Sequence, residues 1–394
     1  MLDSIYIGMS GLTSFSKGLS NISNNVANLN TVGFKSSELE FLDLFYRTQY
    51  GGANSQGLPY SQGSGVKAGA SYSKFTQGDF RQTGNSLDAA IDGNGFFILQ
   101  QDGKLSYTRS GQFTFDDSGY LISREGGARV LGFNNGALSE INIAGKRSSA
   151  PVATTNLTFT DSLSNSSTTY DVSNITIYDS LGAAHTLTLT LTNNTANEPG
   201  EWTFRLMEGA TEVTSGAFRY QGSGVSSPGH DRHTFTYNPG NGAMTTFITL
   251  DASGTNFFSS SASSMRLQSQ NGSPAGYLTT TTLDSDGFIT LGYSNGKSVK
   301  ADQLGLAFFT NPDSLQAEGS NRFFATANSQ RALGAPGEGS LGRLRTNGVE
   351  LSNVDLAQQF SELIVVQRGY QASSQVITAA NEMIQQLGEI RGRR

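Results

Sequence analysis

Apolar residues recur with helical spacing only at the two ends of this chain. Ile5, Leu12, Leu19 and Val26 fall seven apart, and Gly8, Phe15, Ile22 and Leu29 each follow three residues behind. This is a heptad seam sustained over four repeats. It predicts a helix that stops near residues 28–30, where asparagines and then Gly33 break the pattern. At the other end Leu356, Leu363, Tyr370, Ile377 and Ile384 repeat every seven residues. Val366, Ala380 and Leu387 occupy the offset positions, with Gln359 and Ser373 as polar exceptions. Gly8 aside, the apolar members of both series form one candidate polymerisation seam.

Between the ends the period changes to that of short strands. Residues 36–46 read as a short amphipathic piece, and residues 51–70, rich in Gly, Ser and Gln, as an extended or flexible connector. Phe113–Phe115 and Tyr120–Ile122 flank Asp116, Asp117, Ser118 and Gly119, a hairpin signal. The same design returns at Thr281–Leu283, Asp284–Gly287 and Phe288–Ile289. Two related hairpins so far apart suggest one β domain built from both halves of the chain, with an insert between. The insert, residues 146–275, alternates strongly at Thr186–Leu191 and holds Trp202 and all three histidines. The expected class is mainly β with terminal helices, in four nested parts. Residues 1–30 with 355–394 form a helical assembly domain, coiled-coil-like once assembled, and 31–70 a connector. Residues 71–145 with 276–354 form a discontinuous β domain, and 146–275 an outer β domain.

Charge sharpens the reading of the ends. Between Asp3 and Asn30 the only charged residues are Asp3 and Lys17. Ser4, Gly11, Gly18 and Asn25 stand where a solvated two-stranded coiled coil carries Glu and Lys. Small uncharged residues there let a second backbone approach closely. One narrow seam between two helices offsets little of the entropy of ordering them. The helices are therefore expected to lack sufficient partners in their own chain, and the termini to be disordered until subunits assemble. The other arrangement the pattern allows is a helical hairpin between the two ends of one chain.

Over the 394 residues only 15% are charged, against about 25% in ordinary globular proteins, and the net charge is −6. Apart from Arg391, Arg393 and Arg394 there is no basic run, which argues against nucleic acid as a partner. No cysteine is present, so disulfides, thiolate metal sites and cysteine nucleophiles are excluded. The N-terminal residues lack the basic and apolar regions of a secretory signal, and no stretch is long and apolar enough to span a membrane. Composition alone points to the cytoplasm.

Candidate chemistry is sparse. His230 and His233 beside Asp231 lack a further histidine to close a zinc site. Gly292–Ser298 falls one residue short of a phosphate-binding loop, and no helical pattern follows it. Asp284 and Asp286 lack the other ligands of a calcium loop, and Asp92–Gly95 reads as a turn. Nothing assembles a nucleophile, a base and an orienting group, so no enzyme, cofactor or metal is expected. The adjacent pairs Phe96–Phe97, Phe308–Phe309 and Phe323–Phe324 face opposite sides of their strands. They fit either a core covered on both faces or a core with one member turned to a neighbouring subunit.

Several segments resemble the rod, hook and hook-associated family of bacterial flagellar axial proteins. They are Ser10–Leu12, Asn24–Lys35, Thr83–Leu99, Tyr107–Leu121 and, most specific, Ser352–Met383. The resemblance covers residues 1–145 and 275–394. Length, the insert, and Asp179–Gly182 with His185 are similar to the hook-forming branch rather than the distal rod. The resemblance implies a subunit exported by the flagellar type III apparatus without a cleaved signal, outside the cell. It implies a helical homopolymer, a curved flexible tube passing motor torque from rod to filament. Implied partners are further copies of itself, rod and hook–filament junction proteins, the hook cap and the export apparatus, with no nucleic acid and no membrane insertion. The alternatives are a rod or junction component of the same family and a secreted adhesin.

Overall fold

A computed structural model describes residues 2–49, 60–134, 136–222, 224–326 and 329–392. The chain divides into two compact units. One comprises Met1–Ala144, Thr281–Thr290 and Lys300–Arg394; the other comprises Gly145–Thr280 and Leu291–Val299. The second unit thus takes in a hairpin arm, Leu291–Val299, that the alternation pattern does not separate from its neighbours.

The first unit holds both helices, α1 (Leu2–Ala27) and α2 (Leu356–Gly392). Asp3 lies in the first turn of α1, where a carboxylate complements the helix dipole. Beyond Ala27 the chain turns through Asn28 and Thr31 to Gly33, whose φ of +67° is left-handed backbone. A Cβ at Gly33 would stand 2.6 Å from the Ser110 nitrogen, so only glycine fits this approach. Asp355 caps α2, its Oδ1 accepting from the Ala357 (2.8 Å) and Gln358 (3.2 Å) amides.

The β layer of this unit centres on Phe96–Gln101, which pairs antiparallel with Lys104–Thr108, Arg129–Asn134 and Leu306–Phe309. Phe113–Phe115 pairs with Leu121–Ser123 as the hairpin signal predicts. The Asp284–Gly287 turn closes with Asp284 donating to the Phe288 carbonyl. Phe96 packs edge-on against Phe75 and Phe309, and Phe97 against Phe113 on the opposite face. Both members of that pair are buried within the chain, so neither is left for a neighbour.

Where the structure describes them, residues 31–70 contain extended chain that is paired rather than free. Ser37–Asp43 pairs with Val66–Ser73, and Tyr46–Gln49 with Tyr60–Gly63, as antiparallel ribbons. Backbone pairing along a strand needs no apolar alternation, so a Gly/Ser-rich arm gives no periodic signal. Residues 50–59 of the expected connector lie outside the described residues.

The second unit is a sandwich of two four-stranded sheets. One runs Arg232–Tyr237, Thr246–Phe258, Asn156–Ser164, Arg266–Gln270; the other is a meander of Thr169–Tyr178, Ala184–Asn193, Glu201–Glu208 and Thr211–Arg219. Leu187, Leu189 and Leu191 point into the shared core with Trp202, Phe159 and Phe204, while the intervening threonines face out. This core is made from residues of the second unit alone.

Outside it, the Asp179–Gly182 turn is held by a polar clamp. Asp179 accepts from the Leu181 and Ala183 amides and from Asn241 Nδ2 at 2.6 Å. His185 bridges Asp179 (3.2 Å) and Glu208 (2.9 Å). Burial opposes charge on both groups. For Asp179 the hydrogen bonds from Asn241, Ala183, His185 and Leu181 outweigh it and hold the carboxyl at about 2. For His185 the bonds to Glu208 and Asp179 raise its pKa above the ordinary imidazole value. The histidine's contribution is therefore present at low pH and lost as pH rises from about 6.5 through the raised value. His233 is pushed the other way by burial. The difference between wild type and His185→Gln isolates the clamp: the wild type's melting-temperature advantage should shrink as pH is raised from 6 toward 9. A constant difference across that range would show that the bridge carries no proton-linked stability.

Candidate assembly surface

α1 and α2 pack on each other within the one chain. A Cβ at Gly8 would stand 2.7 Å from Ile377 Cγ1, one at Gly11 2.6 Å from Ser373 Oγ, and one at Gly18 3.3 Å from Val366 Cγ1. Asn25 Nδ2 donates to Gln359 Oε1 at 2.9 Å. Partners descend along α2 as α1 ascends, so the helices are antiparallel. This corrects the expectation that the helices lack partners in their own chain. The glycines admit a second backbone, and it is the chain's own.

A third element makes the pair viable. The ribbon of Ser37–Asp43 and Val66–Ser73 lies along the other side of α1. Ser10 Oγ accepts from the Val66 amide (3.2 Å), and Ser14 Oγ donates to its carbonyl (3.3 Å). Asn21 and Asn25 both donate to the Ser37 carbonyl, and Asn25 Oδ1 accepts from the Ser37 amide. Phe15 and Phe41 pack with ring centres 5.7 Å apart. The stripe Ser10, Ser14, Asn21, Asn25 carries these bonds; its spacing of four, seven and four is helical, but a polar stripe leaves no apolar period in the sequence. Asn25→Ala strands the Ser37 amide and the Gln359 oxygen, while the Ser37 carbonyl keeps Asn21, at roughly 1–3 kcal/mol for each group left unpaired in the interior. A fall in the melting temperature of the helical signal, ahead of the β signal, is the expected result. A superimposable melt would show that the ribbon does not hold α1.

The candidate seam divides between covered and bare positions. Ile22, Val366 and Ala380 are buried; Ile5, Leu12, Phe15, Leu19, Val26, Leu29, Leu363 and Ile377 are half-buried. Leu356, Tyr370, Ile384 and Leu387 are exposed. On α2 the line facing α1 runs through Gln359, Val366, Ser373 and Ala380, so the two polar exceptions lie on it. Leu356, Tyr370 and Ile384 flank that line, and Leu387 lies beyond the start of α1.

The flanks of α2 are apolar as well. Phe360 and Ile364, each 52% exposed, continue from Leu356 on one side; Val365, Val376 and Met383 stand on the other. Large apolar side chains bare on both flanks of a helix mark surface that a partner ordinarily covers. Here α1 covers one side of a 37-residue helix, about 55 Å long. Tyr6 and Met9 of α1 are likewise bare. The geometry presents a line of bare apolar side chains along the helical pair and no group of metal-ligating side chains among the described residues.

Family models match along most of the chain: "Flagella basal body rod protein" at residues 5–35, "Flagellar hook protein FlgE/F/G D1 domain" at 90–162, "Flagellar basal body protein FlaE D2 domain" at 148–323, and "Flagellar basal body rod FlgEFG protein C-terminal" at 346–390. The flagellar hook protein FlgE of Borreliella burgdorferi is 30% identical over 98% of this chain and 99% of its own length. That of Salmonella typhimurium is 29% identical over 97% and 98%. The flagellar basal-body rod protein FlgG of Bacillus subtilis is 25% identical over 98% of both chains. With helices, β layer and sandwich all inside a match that runs nearly end to end, the chain belongs to the flagellar hook protein family.

Proposed function

We propose that this chain is the structural subunit of a bacterial flagellar hook, polymerising through its helical ends into a tube that passes torque from rod to filament. The observation that carries this is the bare apolar surface of α2 on a chain that matches hook proteins over nearly its whole length. Exposed side chains as large as Phe360 and Ile364 are unfavourable on a free subunit and become favourable when neighbouring helical pairs pack around a common axis. Fifteen candidate seam residues then share two tasks. Buried ones such as Val366 close the pair within a subunit, and exposed ones such as Leu356, Tyr370, Ile384 and Leu387 close it between subunits.

On this reading the subunit's partners are further copies of itself, the rod and junction proteins at the two ends of the tube, the cap, and the flagellar export apparatus. The product is extracellular and the role structural, without catalysis. The rod relative is less similar, at 25% against 30% identity. Electron microscopy of a strain lacking this gene decides between them: hookless basal bodies that regain hooks on complementation support the hook subunit. Truncated rods would instead make it a rod component.

A further inference from the structure

Where the two helices leave the β layer, three charged side chains are buried together. Lys35 follows α1 and Glu350 precedes α2; Arg109 comes from the β layer between. Glu350 Oε1 accepts from Lys35 Nζ at 2.6 Å and from the Gly78 amide at 2.8 Å, and its Oε2 from Arg109 Nη1 at 3.3 Å. Lys35 Nζ also donates to the Thr76 carbonyl (2.6 Å), and Arg109 Nη2 to the Gly93 carbonyl (2.9 Å). The Lys35 and Glu350 side chains are almost wholly enclosed. Beside them Asn353 accepts from the Ser36 amide (2.7 Å) and donates to the Lys74 carbonyl (2.8 Å).

As a source of stability this node is poorly composed. Two cations share one carboxylate, and the buried Arg109 Nε has no partner. Burial pushes the pKa values of both Lys35 and Arg109 down, which is the signature of charges held in an unfavourable place. A buried ion cluster commonly gives no more stability than apolar side chains of equal volume. What it supplies that they do not is direction. Each N–H···O bond fixes an angle as well as a distance, and these bonds tie both helix exits to residues 76–78 and 93.

We propose that Lys35, Glu350 and Arg109 are positioning residues that set the direction in which the helical pair leaves the β layer, and with it the twist between successive subunits of the polymer. The proposal rests on the hook-subunit reading. A small angular change repeated in every subunit alters the helical parameters of a whole tube, whereas the same change in a monomer is nearly silent.

The test replaces the node by apolar residues, Lys35→Met, Arg109→Met and Glu350→Leu together, in the full-length chain expressed in a strain lacking the gene. The purified subunit should melt near the wild-type temperature, while hooks are lost or show changed subunit twist in helical reconstructions. Normal twist from the triple variant would overturn the proposal and leave the node as filling. Should the triple variant fail to fold, Arg109→Lys decides the matter. It keeps the charge but loses the fork that reaches Glu350 and the Gly93 carbonyl together. Changed twist supports positioning, and unchanged twist refutes it. Failure of the wild-type gene to restore any hook would strike the hook-subunit reading instead, so the two failures are distinguishable.

Discussion

Phe360→Asp is expected to leave the free subunit folded and to stop it polymerising, whereas Val366→Asp is expected to cost the subunit its helical pair as well. The two residues lie on one helix, less than two turns apart, and differ in what covers them. Val366 sits against Gly18 of the same chain and is buried; Phe360 is half in solvent. A carboxylate at Phe360 therefore costs the monomer little. In a tube it forfeits the burial of a large side chain, roughly 1.5–3 kcal/mol, and adds the desolvation of an unpaired charge, together about 4 kcal/mol or more at each contact. Since about 1.4 kcal/mol is tenfold in an association constant, each contact weakens by on the order of a thousandfold. Export of Phe360→Asp subunits into the medium without hooks, with an unaltered melt, is the expected result. Normal hooks from this variant would remove α2's outer flank from the assembly surface. For Val366→Asp the helical part of the melt should be lost while the β signal persists.

The same contrast shows what the sequence makes legible. A heptad count finds that the ends are helical and apolar, because burial of any kind selects for that period. It does not say which helix covers which side. Ile22 and Val366 close the pair inside a subunit, Leu356 and Tyr370 remain bare, and all four obey the same spacing. The line between the helices runs instead through Gly8, Gly11, Gly18, Gln359 and Ser373, residues a hydrophobic count scores as gaps. Close approach is set by what is missing from a side chain, and Asn25 meets Gln359 by hydrogen bonding, so neither gives an apolar signal. The Lys35–Glu350–Arg109 node was wholly illegible, since its members are far apart in sequence and charged residues read as surface. By contrast Thr186–Leu191 was fully legible, because a half-buried strand writes its two faces directly into alternate residues.

Removal of the second unit tests how far the tube depends on its helical seam. With Gly145–Thr280 and Leu291–Val299 each replaced by a short Gly/Ser linker, the remaining chain keeps both helices, the ribbon and the β layer of the first unit. The sandwich core, from Leu157 to Met265, draws on no residue of the first unit. We expect subunits of this kind to be exported and to form tubes that are straight or mechanically altered. A bending tube must change distances between subunits on every rotation. Packed helices resist this, because interiors close to crystal density have little free volume to exchange. The ribbon of Ser37–Asp43 and Val66–Ser73 is hydrogen-bonded along α1 and is no freer. Compliance then falls to contacts between the second units of neighbouring subunits, where Ser, Thr and Asn offer weak bonds that water replaces at little cost. Deleted subunits that built hooks of normal curvature, in cells that swam normally, would show that the second unit has no part in the joint. Exported, folded subunits that built no tube at all would show that the helical seam does not suffice for assembly, and that the second unit is part of the polymerising surface.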